Sequence, residues 1–165
     1  MIKLVIGRLT LNIISAYAPQ VDLDTEVKKD FWEDLDEVVS CILQIEKIFI
    51  DGDFNRHIRA TFSRLGDVHG GYSFGDRNRG GASLLDFAKA FELVRANSCF
   101  PKMENHLVTF HSTVAKTQIY YLFLRKGDRG LCNDCKVIPG ENLTTQYNLL
   151  VMDLEIKREG EQDCV

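Results

Sequence analysis

The chain has 165 residues, of which 45% are hydrophobic and 27% are charged, and this composition is that of one globular domain. It excludes a wholly disordered chain, and only three prolines and twelve glycines exclude a fibrous or linker-like one. The net charge is −4, from 20 basic and 24 acidic residues. Because a protein that simply coats nucleic acid is normally basic, this charge argues against that class.

Hydropathy and cysteine usage predict the compartment. The sequence has no run of roughly 18 apolar residues, so it predicts no membrane-spanning helix. Its five cysteines are an odd number without the spacing of a disulfide framework, which suits reduced thiols and predicts an intracellular protein, cytoplasmic or nuclear. Cys132 and Cys135 lack the second pair of ligands that a structural zinc site needs, and two thiols in a turn is the favoured interpretation.

The first third of the chain predicts a hairpin, a helix and a buried strand. Residues 3–6 and 9–17 flank a two-residue turn and predict a β-hairpin, whose second strand ends before Pro19. Apolar residues then recur at steps of three and four, which predicts an amphipathic helix over 22–44. The apolar run 47–51 predicts a short buried strand that ends at the next residue, a glycine.

The rest of the chain predicts a loop, one more helix and several strands. Residues 56–81 are rich in glycine, arginine and asparagine and predict a loop, and a second helix is expected over 82–91. Further strands are predicted at residues 93–96, 106–111, 118–124 and 149–156. Strands around a few helices predict an α+β or layered α/β domain over 1–156, followed by a charged tail at 157–165.

The end of the predicted buried strand carries the most informative polar residues. Asp53 and Asn55 follow Gly52 and would present a carboxylate and an amide on the same side, at a strand end where α/β sites commonly form. The carboxylate could orient or deprotonate a water, or help to hold a hard cation. The amide could hold a phosphate oxygen or the nucleophile. The alternative is a turn closed by Asx hydrogen bonds, without chemistry.

Five motifs in order resemble the endonuclease/exonuclease/phosphatase superfamily. They lie at Leu11–Pro19 (LNIISAYAP), Gly52–Asn55 (GDFN), Asn78–Phe87 (NRGGASLLDF), Leu107–Ser112 (LVTFHS) and Gln118–Tyr121 (QIYY). The resemblance covers nearly the whole chain. It is nearest to the branch of retrotransposon (long interspersed element) endonucleases and craniofacial development protein 2-like proteins.

This resemblance implies a four-layered α/β sandwich that hydrolyses phosphodiesters with Mg²⁺ bound between two sheets. Asp53 would orient or deprotonate the attacking water and contribute to the metal site, and Asn55 would position the water or stabilise the phosphorane. Tyr17 would hydrogen-bond the scissile phosphate. DNA or another phosphodiester is the implied partner. Arg77 and Arg79 could contact its backbone, or could simply keep a glycine-rich loop soluble.

The sequence also departs from the superfamily pattern. The family carries a metal-binding glutamate and an asparagine on strands that precede anything in this sequence. It has an aspartate where this chain has Tyr120, and an Asp-His pair where this chain has Gln146 and Tyr147. A tyrosine, with an ordinary pKa of about 10, does not replace a histidine of about 6.5 as a cation at neutral pH.

These departures predict a weak or inactive site, because the members of a catalytic set act as a unit. The fold is expected to be a partial sandwich without its N-terminal strands, and its exposed sheet edge could support self-association. Three functions stay open at this point. They are a Mg²⁺-dependent endonuclease, a non-catalytic remnant that binds nucleic acid or protein, and a phosphatase of the same superfamily.

Overall fold

The computed structural model describes residues 1–55, 81–113, 116–142 and 146–156. Nearly all of the predicted loop at 56–81 and the predicted tail at 157–165 lie outside the described residues. Neither described α-helix has the length and hydrophobicity that crossing a membrane requires.

The described residues form nine strands and two α-helices. In chain order these are β1 Ile2–Ile6, β2 Leu9–Tyr17, α1 Thr25–Ser40, β3 Lys47–Asp53, α2 Gly81–Ala90, β4 Leu93–Arg95, β5 Phe110–His111, β6 Lys116–Thr117, β7 Tyr120–Arg125, β8 Cys132–Asn142 and β9 Asn148–Leu154. Short 3-10 helices cover Ala96–Ser98, Glu104–His106 and Lys126–Leu131.

A mixed five-stranded sheet with the order β1-β2-β3-β7-β4 is the centre of the fold. β1 and β2 form the predicted antiparallel hairpin, whose turn places Gly7 at a φ of +62°. β2 and β3 are parallel because α1 connects them, whereas β7 runs antiparallel to both β3 and β4.

Two layers cover the two faces of this sheet. α1 and α2 pack on one face, where the core contains Ile14, Leu35, Val39, Ile48, Ile50, Phe54, Leu84, Leu85 and Phe123. The antiparallel pair β8–β9 packs on the other face, around Leu11, Phe49, Val94, Leu124, Cys132 and Cys135. A mixed sheet with few helices confirms the predicted α+β class.

The predicted helix over 22–44 is too long at both ends. α1 begins at Thr25 and ends at Ser40, and the backbone beyond it turns towards β3. The Arg125 guanidinium, from β7, donates hydrogen bonds to the carbonyls of Leu43 and Gln44 at 3.2 and 2.8 Å. These carbonyls are satisfied by a residue about 80 positions away, so the local apolar pattern does not mark where the helix stops.

Two strand predictions need correction. β3 continues through Gly52 to Asp53, because a glycine lets the strand approach β2 closely: a Cβ at this position would lie 2.2 Å from the Ala16 carbonyl oxygen. The predicted strand over 106–111 is reduced to β5. The hydroxyl oxygen of Thr109 accepts hydrogen bonds from the backbone N–H groups of Ile119 and Tyr120, in place of a strand ladder.

The two cysteines of the Cys-x-x-Cys pair lie in a strand, and the turn interpretation is wrong. β8 begins at Cys132, and its pairing with β9 shifts register between Cys132 and Asp134. Both Cys132 and Cys135 are free and buried between the sheets. Burial raises the pKa of the Cys132 thiol to about 11.

Candidate active site

Strand pairing brings three of the predicted site residues side by side. Asp53 is the cross-strand partner of Tyr17 on β2 and of Tyr120 on β7. Cross-strand partners project from the same face of a sheet. Phe49 packs between the two sheets, and residues two apart share a face, so Asp53 also faces β8–β9. The candidate site therefore lies between the two sheets, at the carboxyl ends of β2 and β3.

The Asp53 carboxylate is buried and has a hydrogen-bond donor on each oxygen. Asp53 is only 3% exposed. Oδ1 accepts the backbone N–H of Asn55 at 2.8 Å, and Oδ2 accepts the Tyr147 hydroxyl at 3.1 Å. Burial raises the pKa of Asp53 above its usual range, and the two hydrogen bonds offset part of that rise.

Asn55 adopts the turn that the sequence left open as an alternative to a catalytic role. Its φ is +48°, in the left-handed region that asparagine tolerates, and its N–H closes an Asx-type turn on Asp53. Its side-chain Nδ2 donates to the Ala18 carbonyl at 2.7 Å. The amide thus ties the end of β3 to the end of β2.

Tyr147 enters the site from the second sheet, one residue before β9. Burial first, and the Asp53 carboxylate next, raise the pKa of Tyr147 to about 12. The hydroxyl is therefore protonated at neutral pH and donates to Asp53. The tyrosine that stands in the predicted histidine position acts here as a neutral donor.

Tyr120 makes a second contact of the same kind with a residue that the sequence prediction missed. Its hydroxyl donates to Oδ2 of Asp51 at 3.2 Å, and burial, with Asp51 next, raises its pKa to about 12. Asp51 lies two residues before Asp53 on β3 and shares its face. The period-two alternation of a strand was the signal that could have identified Asp51.

The remaining predicted residues divide into those beside the site and those outside the described chain. Tyr17 is 66% exposed, and Tyr147 lies close enough to interact with it electrostatically. Gln146 is exposed, and its backbone carbonyl accepts the N–H of His111 at 2.8 Å. Arg77 and Arg79 lie outside the described residues.

The residues around Asp53 do not fit a magnesium ion. Mg²⁺ prefers carboxylate and water oxygens in octahedral geometry, but each of the two neighbouring carboxylates, Asp51 and Asp53, receives a tyrosine hydroxyl. Within the described ranges, no group of three or more His, Cys, Asp or Glu side chains is placed to hold a metal.

The layers and topology are those of an endonuclease domain of known structure. The chain is similar in structure to the endonuclease domain of TRAS1, a telomere-specific non-LTR retrotransposon, with a TM-score of 0.68 and 13% sequence identity. The similarity covers 94% of this chain and 63% of that domain.

In sequence, the chain is similar to craniofacial development protein 2. It is 27% identical over 149 residues to the protein from Tragulus javanicus and 26% identical over 149 residues to that from Bos taurus. Each match covers 89% of this chain, which spans about a quarter of the length of these relatives (26% and 25%). No family model matches the chain. The resemblance to the retrotransposon endonuclease branch is confirmed by these likenesses.

Proposed function

We propose that this chain is an endonuclease-type domain whose phosphodiester-hydrolysing site is closed by tyrosine side chains and does not cleave DNA. The observation that carries this proposal is the hydrogen bond of 3.1 Å from the Tyr147 hydroxyl to Oδ2 of Asp53. By resemblance, this carboxylate is the group that would orient or deprotonate the attacking water.

The proposal follows from what a general base requires. Such a base needs a lone pair within hydrogen-bond reach of the water that it activates. Each Asp53 oxygen already accepts one hydrogen bond from the protein, and the burial of the residue keeps water from the remaining lone pairs. Water and a phosphate would have to displace the Tyr147 ring before they reached the carboxylate.

The two tyrosines also fail to supply the missing chemical groups. Phosphodiester hydrolysis depends on positive charge and donors arranged around the developing phosphorane. With pKa values of about 12, Tyr120 and Tyr147 are neutral at pH 7, so they are neither cations nor bases. The loss of two such members from one cooperating set reduces catalysis by orders of magnitude.

Other parts of the prediction stay proposals. A phosphodiester, DNA above all, is the ligand that the resemblance suggests, and the exposed Tyr17 hydroxyl is a group that could contact its phosphate. No contact among the described residues favours a phosphatase. Self-association through β1, whose five residues are all exposed, also stays a prediction, as does an intracellular compartment.

The test is nicking of supercoiled plasmid by the purified chain. The wild-type chain and the Asp53→Ala variant are compared with Mg²⁺ and with a chelator, after circular dichroism has shown that both are folded. We expect the same background nicking in all four samples. Nicking by the wild type that needs Mg²⁺ and is lost in Asp53→Ala would contradict the proposal and restore the endonuclease assignment.

A further inference from the structure

α1 and α2 enclose a groove on the side of the domain that faces away from the candidate active site. The groove has a volume of about 640 Å³ and is lined by Lys29, Trp32, Glu33, Asp36, Glu37, Ser83, Asp86, Phe87 and Ala90. The lining residues of each helix recur at three- and four-residue steps, so each helix contributes one continuous face. The α1 face runs from Lys29 to Glu37, which is about 12 Å at about 1.5 Å per residue.

The floor of the groove is aromatic and fixed to the core. The Trp32 ring lies 5.7 Å from the ring of Phe87 and 6.4 Å, stacked, from that of Phe54. Phe54 is fully buried, whereas Trp32 is only partly buried. Trp32 is therefore held from below while part of it stays accessible from the groove, which gives a rigid apolar surface for an incoming side chain.

The rim of the groove is acidic. Among the described residues, four carboxylates line it, those of Glu33, Asp36, Glu37 and Asp86, against one ammonium group, that of Lys29. Lys29 already lies 3.3 Å from the Glu33 carboxylate, so it neutralises one of them locally. Three negative charges therefore remain around an apolar floor, and all the rim side chains are exposed.

We propose that this groove binds a basic amphipathic peptide segment of a partner protein, with an apolar side chain on Trp32 and Phe87 and arginine or lysine side chains on the rim. Charge complementarity selects this occupant, because the rim repels phosphate and therefore excludes a nucleic-acid backbone. The length of the groove matches about two turns of helix, and helix-in-groove recognition uses such anchors one turn apart. This surface is separate from the candidate active site, so the proposal does not depend on whether that site cleaves DNA.

The chain offers its own reporter, because Trp32 is its one tryptophan. The probe is a synthetic 12-residue helical peptide with leucine at two positions one turn apart, flanked by arginines and free of aromatic residues. Its counterpart has glutamate in place of every arginine. Tryptophan fluorescence of the intact chain is followed as each peptide is added, and the titration is repeated at higher salt.

We expect a saturable change in Trp32 fluorescence with the basic peptide, weaker binding at higher salt and no change with the acidic one. Asp36→Lys with Glu37→Lys should weaken binding at least about tenfold. The matched control, Asp30→Lys with Asp34→Lys, makes the same charge change on α1 outside the groove and should weaken binding less than about threefold.

Three results would overturn the proposal. The first is no saturable change with the basic peptide, and the second is equal weakening by the groove pair and the control pair, which would indicate only a general charge effect. The third is a saturable fluorescence change with a duplex DNA oligonucleotide that the groove pair abolishes. That result would mean that the groove is a nucleic-acid surface.

Discussion

Replacing one buried arginine should make this domain more stable. Arg95, the last residue of β4, is 0% exposed, and its side chain projects into the core on the helical side of the sheet. Its three guanidinium nitrogens have no hydrogen-bond acceptor within the described part of the chain. The Tyr121 ring lies 5.0 Å from the guanidinium carbon, a cation–π contact that favours the charged form. We therefore predict that Arg95→Met stabilises the fold.

The size of the effect follows from two opposing contributions. Removing an ion from water costs several kcal/mol in a real protein interior, and here burial lowers the pKa of Arg95, which shows that the charged form is disfavoured. A cation–π contact with Tyr121 returns about 1–2 kcal/mol. Methionine keeps most of the apolar stem and adapts to irregular space. The net expected gain is about 2–4 kcal/mol in the free energy of unfolding, or about 5–15 °C in Tm.

The assay is urea unfolding of the wild type and the variant, followed by circular dichroism, with Arg125→Met as the matched control. Arg125 lies on β7 as the cross-strand neighbour of Leu93 on β4, and its guanidinium donates to carbonyls that follow α1. Its loss replaces these hydrogen bonds with bonds to water and should cost about 0.5–1.5 kcal/mol. If Arg95→Met destabilises the chain as Arg125→Met does, the guanidinium of Arg95 has a partner and the reasoning fails.

Two further predictions concern β3 and the closed site. Gly52→Ala should destabilise the fold by about 3 kcal/mol or more in the same urea assay, because the added Cβ meets the β2 backbone. The control is Gly127→Ala, whose added Cβ has no atom within 4 Å. It should change the free energy of unfolding by less than about 0.5 kcal/mol. Tyr120→Asp combined with Tyr147→His should give weak Mg²⁺-dependent plasmid nicking, orders of magnitude below that of a complete site. The same pair with Asp53→Ala should give none, and equal nicking by both would mean that the cleavage does not come from this site.

Local patterns in the sequence identified most of the central sheet and both helices. The hairpin, α1, α2 and the strands β3, β4, β7 and β9 have period-two or three-to-four-residue patterns that depend only on which face is buried. The C-terminal end of α1 and the length of β3 were predicted wrongly, because they depend on Arg125 and on the contact of Gly52 with β2. Such contacts join residues far apart in sequence and leave no local signature.

The residues of the candidate site could be predicted from the sequence, but the hydrogen bond that closes the site could not. The GDFN motif identified Asp53 and Asn55, and the strand that ends at Tyr17 placed a third residue beside them. The hydrogen bond that closes the site joins residues 94 positions apart, and only the packing of β8–β9 on the sheet brings them together. Strand alternation could have identified Asp51, but its bond to Tyr120 joins residues 69 positions apart on β3 and β7.

The central claim is that the Tyr147 hydroxyl donates a hydrogen bond to the Asp53 carboxylate and closes the site. Titration of the Asp53 carboxyl group tests this claim most directly. Carbon-13 NMR of aspartate-labelled protein follows the wild type, Tyr147→Phe and, as a control, Tyr120→Phe, with Asp53→Asn to assign the signal. A donated hydrogen bond stabilises the charged carboxylate and lowers its pKa, while burial raises it. The pKa of Asp53 should therefore lie above its usual range in the wild type, rise further in Tyr147→Phe and stay unchanged in Tyr120→Phe. An Asp53 that titrates identically in the wild type and Tyr147→Phe would mean that the hydroxyl does not hold the carboxylate, and the site would then be open.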